Sequence, residues 1–172
     1  MKVHHLAPKI EELLVLQIQK EHQSSINYLA MAVWAEVNLY PGTAAFFYQQ
    51  SEEEREHMLK IVRYLTNLSY APVLPATQVP TQNYQDLPSM LRQFLAQEQS
   101  VTQAVHQLVD QALEKKDYAT FQFLQWFVAE QQEEEAIARK ALDLCQVLSP
   151  DGFRRHAIDQ EMAKLLHTAG DA

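Results

Sequence analysis

Residues 47–68 of the chain, FYQQSEEEREHMLKIVRYLTNL, have the spacing of one helix face whose centre is charged. Steps of three and four residues recover a stripe made of Phe47, Gln50, Glu54, His57, Ile61, Tyr64 and Leu68. Residues three positions apart are neighbours on a helix, so Glu54 and His57 can reach one metal ion together. The segment therefore predicts a core helix with a metal site at mid-height.

Three further segments repeat this design, and each has a glutamate near the centre of a largely apolar stripe. The stripes are Ile10, Leu14, Gln17, Glu21, Ser24, Tyr28, Met31 and Ala35; Leu87, Leu91, Phe94, Glu98, Val101, Val105, Leu108 and Ala112; and Leu124, Phe127, Gln131, Glu134, Ala138, Ala141 and Cys145. A buried, unpaired carboxylate costs several kcal/mol, so a layer of them requires a strong counter-charge, which two divalent cations would supply. Oxygen ligands with one imidazole favour iron over structural zinc, and they leave zinc and manganese open.

The composition and the turn signals predict how these stripes are arranged. A chain of 172 residues with only 3 glycines favours one all-α domain, spanning 1–172. We predict a four-helix bundle over about residues 9–147, with helices over about 8–38, 43–68, 87–116 and 118–147 and a short fifth helix over about 153–167. Thr43 is the expected cap of the second helix. Pro72, Pro75 and Pro80 exclude a regular helix in the segment that follows, which indicates one long crossover and a third helix parallel to the second.

The charge and the single cysteine exclude several classes of function. A formal net charge of −8 without a basic stripe argues against nucleic acid as a partner and favours cations. Cys145 is the only cysteine, so neither a disulfide framework nor a cysteine-ligated cluster is possible. The first ten residues do not have the pattern of a signal peptide, and no apolar run is long enough to cross a membrane. We therefore expect a cytoplasmic protein with no membrane partner.

The motifs that contain these glutamates resemble those of the ferritin family, and most closely those of the non-haem bacterial ferritins, over nearly the whole chain. They are EHQSSINY at 21–28, EEREH at 53–57, QEQ at 97–99 and QWFVAEQQEEE at 125–135. The resemblance implies that a first iron is held by Glu21, Glu54 and His57, and that Glu54 bridges to a second iron held by Glu98 and Glu134. It places Gln131 and Tyr28 close to the irons, and it leaves open whether Gln131 contacts iron.

A third iron position is suggested by Glu53, Glu130 and Glu133, which flank the core stripes on one edge of the layer. Glu130, Glu133 and Glu134 are neighbours on one helix, so Glu134 could link the second and third irons. The alternative is a solvent-facing acidic edge that only raises the local concentration of cations.

The resemblance also implies an activity and an assembly. Ferrous iron would be oxidised by dioxygen or hydrogen peroxide in a homo-oligomeric shell of 24 subunits, and ferric mineral would be stored inside. Haem is not expected, because haem-binding bacterioferritins have Met after the first glutamate and a second Glu-x-x-His motif, whereas this chain has Arg55 and Gln131 at those places.

Three other functions compete with a ferroxidase. A storage shell without an oxidation centre would not need this ligand set. A di-iron oxidase or oxygenase that acts on an organic substrate commonly has two Glu-x-x-His motifs, and it needs a cavity beside the metals. A purely structural bundle would be destabilised by its buried carboxylates.

Overall fold

The computed structural model describes residues 6–148 and 154–167. Its helices are α1 (Pro8–Val37), α2 (Pro41–Asn67), α3 (Leu87–Glu114), α4 (Tyr118–Leu148) and α5 (Arg154–Lys164), and a 3-10 turn (Leu165–His167) follows α5. The described residues contain no strand, which confirms the predicted all-α bundle with a short fifth helix. Phe153, the predicted start of the fifth helix, lies outside the described residues. None of the helices in these two ranges is long and apolar enough to cross a bilayer.

Three of the helices end in the same tight bend. Leu39, Ser69 and Lys116 each have a positive φ, of 63°, 63° and 54° respectively. In each bend, the amide of the next residue donates to a carbonyl in the last turn, as Tyr40 does to Ala35 at 2.9 Å. Two of these bends make α2 antiparallel to α1 and α4 antiparallel to α3.

The long crossover between α2 and α3 follows the outer face of α1. Its first residues lie near the start of α1, where the Leu6 amide donates to the Tyr70 hydroxyl at 2.9 Å. Gln23 then donates to the Gln78 carbonyl at 3.2 Å and accepts from the Gln78 amide at 2.7 Å. The Tyr84 ring finally packs edge-on against Trp34, near the end of α1. The crossover therefore starts α3 at the end of the bundle where α2 starts, as predicted.

The buried core consists of two apolar clusters with a polar layer between them. One cluster includes Tyr28, Phe47 and Phe94, and the other includes Ile18 and Val101. The buried polar side chains of the layer are Gln17, Glu21, Ser24, Ser25, Gln50, Ser51, Glu54, His57, Glu98, Gln131 and Glu134. Four helices thus meet in the polar layer that the sequence predicted at mid-height.

The predicted stripe of α2 needs one correction. Tyr64 and Leu68 are only partly buried, and Leu65 is the buried residue at that end of the helix. Tyr64 instead stacks on Phe123 at a centroid distance of 3.9 Å, and its hydroxyl lies 2.9 Å from the Thr120 hydroxyl. The phenol oxygen of Tyr64 needs a hydrogen-bond partner, which it finds at the edge of the bundle. Leu65 has no polar side-chain atom, so it occupies the core position.

The prediction that Thr43 caps α2 is wrong. The helix begins two residues earlier, and the Asp159 carboxylate of α5 accepts from the Gly42 amide at 2.8 Å and the Thr43 amide at 2.7 Å. The Thr43 hydroxyl donates to the same carboxylate at 2.9 Å. A Cβ on Gly42 would lie 2.2 Å from the Asp159 carbonyl oxygen, so glycine permits the close approach. A residue from a distant helix therefore caps α2, and this contact fixes α5 across the end of the bundle.

Replacing Asp159 with alanine should weaken the attachment of α5. The change removes a charged acceptor from a helix N-terminus, so we expect the free energy of unfolding to fall by about 1–2 kcal/mol. Denaturant unfolding of Asp159→Ala should show this loss. The matched control is Glu161→Ala on the same helix, where the carboxylate only pairs with Lys164. Equal midpoints for the two variants would contradict the proposed cap.

Candidate metal centre

Two serines bring α1 and α2 together at the level of the polar layer. The Ser25 hydroxyl donates to the Ser51 carbonyl at 2.7 Å, and the Ser51 hydroxyl donates to the Ser25 carbonyl at 2.8 Å. Both serines are buried, and their small side chains let the backbones approach. Glu21 lies one turn before Ser25 and Glu54 one turn after Ser51, so the pair sets the spacing between the two carboxylates.

Glu21, Glu54 and His57 converge inside the bundle. One potential ligand atom from each lies within 4.8 Å of the others, and all three residues are buried. The His57 Nδ1 atom is 3.4 Å from Glu54 Oε2, and the two atoms form no hydrogen bond. This is the group that the resemblance assigned to a first iron.

Gln17 restrains one of these carboxylates. It lies one turn before Glu21 on α1, is 1% exposed, and donates from Nε2 to Glu21 Oε1 at 2.8 Å. The other oxygen, Glu21 Oε2, accepts no hydrogen bond from the described residues. The glutamine thus orients the carboxylate and leaves Oε2 available to a ligand.

Several carboxylate oxygens of the layer are buried without a donor. Within the described part of the chain, no donor reaches Glu21 Oε2, Glu134 Oε2 or either oxygen of Glu54. A buried polar atom left unsatisfied costs about 1–3 kcal/mol, and more if it is charged. Such atoms need a partner in the working protein, and oxygen donors grouped with an imidazole suit a divalent cation of the first transition series.

Glu98 has a different environment. The Tyr28 hydroxyl donates to its Oε1 atom, and Gln131 Nε2 donates to its Oε2 atom at 3.1 Å. The Gln131 amide also donates to the Glu98 carbonyl and to the Thr102 hydroxyl, both at 3.3 Å. Glu98 therefore lies in the layer with both oxygens satisfied, and its predicted neighbours Tyr28 and Gln131 are the residues that satisfy them.

Burial controls the proton affinity of the layer. It raises the pKa of the Glu54 carboxyl well above the ordinary value, and the charges of Glu98, Glu21 and Glu134 raise that pKa further. Burial likewise raises the pKa of Glu134, with the charge of Glu98 as the next cause. Burial also raises the pKa of Glu98 to about 7, although its hydrogen bonds from Tyr28 and Gln131 oppose the rise. The metal-free layer therefore retains protons that a bound cation would displace.

A second group of potential ligands lies on the outer side of His57. It consists of His57, Glu130 and Glu134, again with one atom of each within 4.8 Å of the others. The His57 Nε2 atom is 3.7 Å from Glu130 Oε1, so the imidazole faces Glu54 with one nitrogen and Glu130 with the other. Glu133 is exposed and belongs to neither group.

Glu53 lies beside this outer group and is restrained within its own helix. Gln49 donates to its Oε1 atom at 2.7 Å, and Gln50 donates to its Oε2 atom at 2.6 Å. The negative charges of Glu53 and Glu133 act on the Glu130 carboxyl, whose pKa is raised mainly by burial. The three glutamates of the predicted third position are thus electrostatic neighbours, although only Glu130 joins a compact group.

The structure brings most of the predicted site residues into one layer but does not assign their roles. Glu21, Glu54, His57, Glu130 and Glu134 fall in the two compact groups, whereas Glu98 falls in neither. The ligand assignments therefore stay predictions. The sequence pattern predicted no role for Gln17 or Gln50, which orient Glu21 and Glu53. The spacing of each glutamine from its glutamate, i to i+4 and i to i+3 on one helix, could have predicted these contacts.

Comparisons with known proteins identify the family to which the chain belongs. A family model described as a ferritin-like domain matches residues 11–147. A bacterial non-heme ferritin of Escherichia coli O6:H1 is 32% identical over 160 residues, which is 93% of this chain and 97% of the relative. A bacterial non-heme ferritin of Campylobacter jejuni is 34% identical and covers 90% of this chain and 93% of the relative. A crystal structure of an open pore ferritin from Archaeoglobus fulgidus has a TM-score of 0.89 at 30% identity, and covers 92% of this chain and 98% of that one.

The raised carboxyl pKa values predict how pH affects the metal-free protein. Between pH 4.5 and about 7, the folded protein keeps a proton on Glu98 that the unfolded chain has released. Its free energy of unfolding should therefore fall as pH rises through this range. Denaturant unfolding at several pH values should show a smaller fall in Glu98→Gln than in the unaltered protein. The control Glu56→Gln, at an exposed position, should leave the fall unchanged, and the same fall in all three proteins would contradict the assignment.

Proposed function

Because this chain belongs to the ferritin family, we propose that it is an iron-storage protein that oxidises ferrous iron in its buried carboxylate layer. The observation that carries the proposal is the set of donor-less carboxylate oxygens on Glu21, Glu54 and Glu134, which border the His57 imidazole. Cations there would replace the missing donors and compensate the cost of burial. The substrate of the reaction thus completes the polar layer.

The side chains divide into roles by position. Glu21, Glu54 and His57 bind the first ferrous ion. Glu54 also bridges to the second, because both of its oxygens lack a donor. Glu134 and Glu98 bind the second ion. To do so, Glu98 gives up one of the hydrogen bonds that it accepts from Tyr28 and Gln131.

Gln131 and Tyr28 support the site from its margin. Gln131 donates to Glu98 and can keep that carboxylate oriented toward the second ion. Tyr28 is fully buried, and its phenol faces Glu98 in the layer, so it can donate a hydrogen bond or an electron there.

The arrangement suits a two-electron reaction. Each ferrous ion gives up one electron and becomes ferric, and one dioxygen takes both electrons and becomes peroxide. With hydrogen peroxide as the oxidant, two further ferrous ions supply the two electrons that reduce it to water. A bridging carboxylate holds the two ions close enough to react with one oxidant molecule. Carboxyls such as Glu98 become carboxylates when they release their protons on binding cations, and their negative charges then offset the positive charges of the ions.

The stored product requires an enclosed volume, and we propose the ferritin shell of 24 identical subunits in the cytoplasm. Exposed apolar side chains on α1 and the crossover support an assembly, since Val33, Val37 and Val79 are 50%, 76% and 87% exposed. Such a surface is typical of a protein interface. No haem is proposed, because the positions that distinguish haem-binding relatives hold Arg55 and Gln131.

The proposed bridge predicts the effect of Glu54→Ala. Rapid oxidation of ferrous iron should slow by more than about tenfold, since even residues that only orient metal ligands change activity by about 10- to 100-fold. The helical fold should persist, because a buried charge is removed from among other carboxylates. Stopped-flow mixing of the metal-free variant with ferrous iron in air measures the rate. Glu12→Ala, at an exposed position on α1, is the control, and an unchanged rate in Glu54→Ala would contradict the proposed site.

A third iron position predicts a distinct result for Glu130→Ala. The variant should bind one iron fewer per subunit and consume oxygen in a different ratio to iron, while the paired site still oxidises. An acidic edge without a discrete site predicts only slower uptake that depends on salt. Anaerobic ferrous titration followed by oxygen consumption separates the two outcomes. Glu52→Ala, exposed on α2, serves as the control for the loss of one surface charge.

A further inference from the structure

A lysine side chain lies beside the outer group of potential ligands. The Lys60 Nζ atom of α2 lies 3.8 Å from the centroid of the Trp126 ring on α4. The Trp126 ring packs edge-on against the His57 imidazole, with centroids 5.2 Å apart. Lys60, Trp126 and His57 therefore form a continuous stack that connects α2 to α4.

This stack forms part of a cavity open to the surface, with a volume of about 360 Å³. The walls include acidic residues, Glu53 and Glu56 among them, and the imidazole of His57. The cavity is therefore an acidic depression that reaches the His57 side of the metal centre. The positive charge of Lys60 opposes the negative charge of the depression. The pKa of Glu130 is raised by burial, and the Lys60 ammonium lowers it.

We propose that Lys60 is a gate on this approach: its ammonium rests on Trp126, neutralises the acidic edge in the metal-free protein, and must move away before a divalent cation reaches His57 and Glu130. The gate rests on the proposed function, in which cations enter this layer. A cation held over an exposed aromatic ring is weakly bound, so the lysine can leave at little cost. Its long, flexible stem allows the ammonium to move into water while α2 stays in place. Lys60 is a positioning residue, and it selects for cations that outcompete an ammonium at the acidic edge.

The neighbouring cation in the same cavity provides a matched comparison. Arg63 also borders the depression, but it lies 3.6 Å from Glu56 on its own helix and is largely exposed. If the net charge of the depression alone governed entry, removing either cation would have the same effect. If the stack on Trp126 is the gate, only the lysine matters.

The test uses anaerobic cobalt(II), which binds without redox chemistry and quenches tryptophan fluorescence. The chain has 2 tryptophans, so a Trp34→Phe background leaves Trp126 as the reporter. In this background, Lys60→Gln should accelerate cobalt-dependent quenching by about tenfold, because the incoming cation no longer has to displace the ammonium that rests on Trp126. Arg63→Gln should change it by less than about twofold, because its charge is exposed and already paired.

A double variant localises the effect. Lys60→Gln should accelerate quenching much less in a Glu130→Ala background than in the Glu130 background, with Glu130→Ala alone as the reference, since the lysine acts at that carboxylate. Equal rates in Lys60→Gln and Arg63→Gln, or no change in Lys60→Gln, would overturn the gate. Cobalt binding does not require oxidation, so the two tests are independent. The gate proposal can be contradicted while ferrous oxidation is normal, and the cobalt rates can still be measured if ferrous oxidation is absent. Circular dichroism of each variant verifies that the helices are intact.

Discussion

Burial of carboxylates without hydrogen-bond donors is the constraint on which the rest of this structure depends. Glu21, Glu54 and Glu134 each have an oxygen in the core that no described donor reaches, and burial with mutual repulsion raises the pKa of Glu54 and Glu134. Such a layer opposes folding. It is tolerated because a large apolar cluster lies on each side of it, and because cations can complete it when they bind. The two ends of the bundle therefore stabilise the fold, and the buried polar groups are confined to its middle.

Positioning in the layer depends on contacts that are not ligands. The reciprocal bonds between Ser25 and Ser51 set the separation of α1 and α2, and Gln17 orients one oxygen of Glu21. Gln97 on α3 donates to the Ser24 hydroxyl at 2.9 Å and connects the second helix hairpin to the first. A carboxylate displaced by a fraction of an ångström would change how it shares a cation with its neighbours. The uncharged residues around the layer therefore set the positions of its carboxylates.

His57 connects the inner and outer parts of the site. Its two nitrogens face Glu54 and Glu130, and its ring packs against Trp126, under the ammonium of Lys60. A cation that entered through the acidic depression would meet this imidazole before it met Glu54. His57 therefore lies between the two groups of potential ligands, on the face formed by α2 and α4.

The helices, the crossover and the level of the polar layer could be predicted from the sequence alone, because helical periodicity and the positions of prolines are local properties of the chain. Glu54 and His57 are a local pair, so their spacing in the chain was enough to predict that they lie together. The Asp159 cap, the burial of Leu65 in place of Tyr64, and the Lys60 to Trp126 stack join different helices or depend on packing at the bundle edge. These contacts follow from the packing of the helices in three dimensions. The same packing gives Glu98 hydrogen bonds from Tyr28 and Gln131 and brings Glu130 beside His57. Local spacing fixes which face a side chain occupies, whereas rotamers and helix separation fix which atom it reaches.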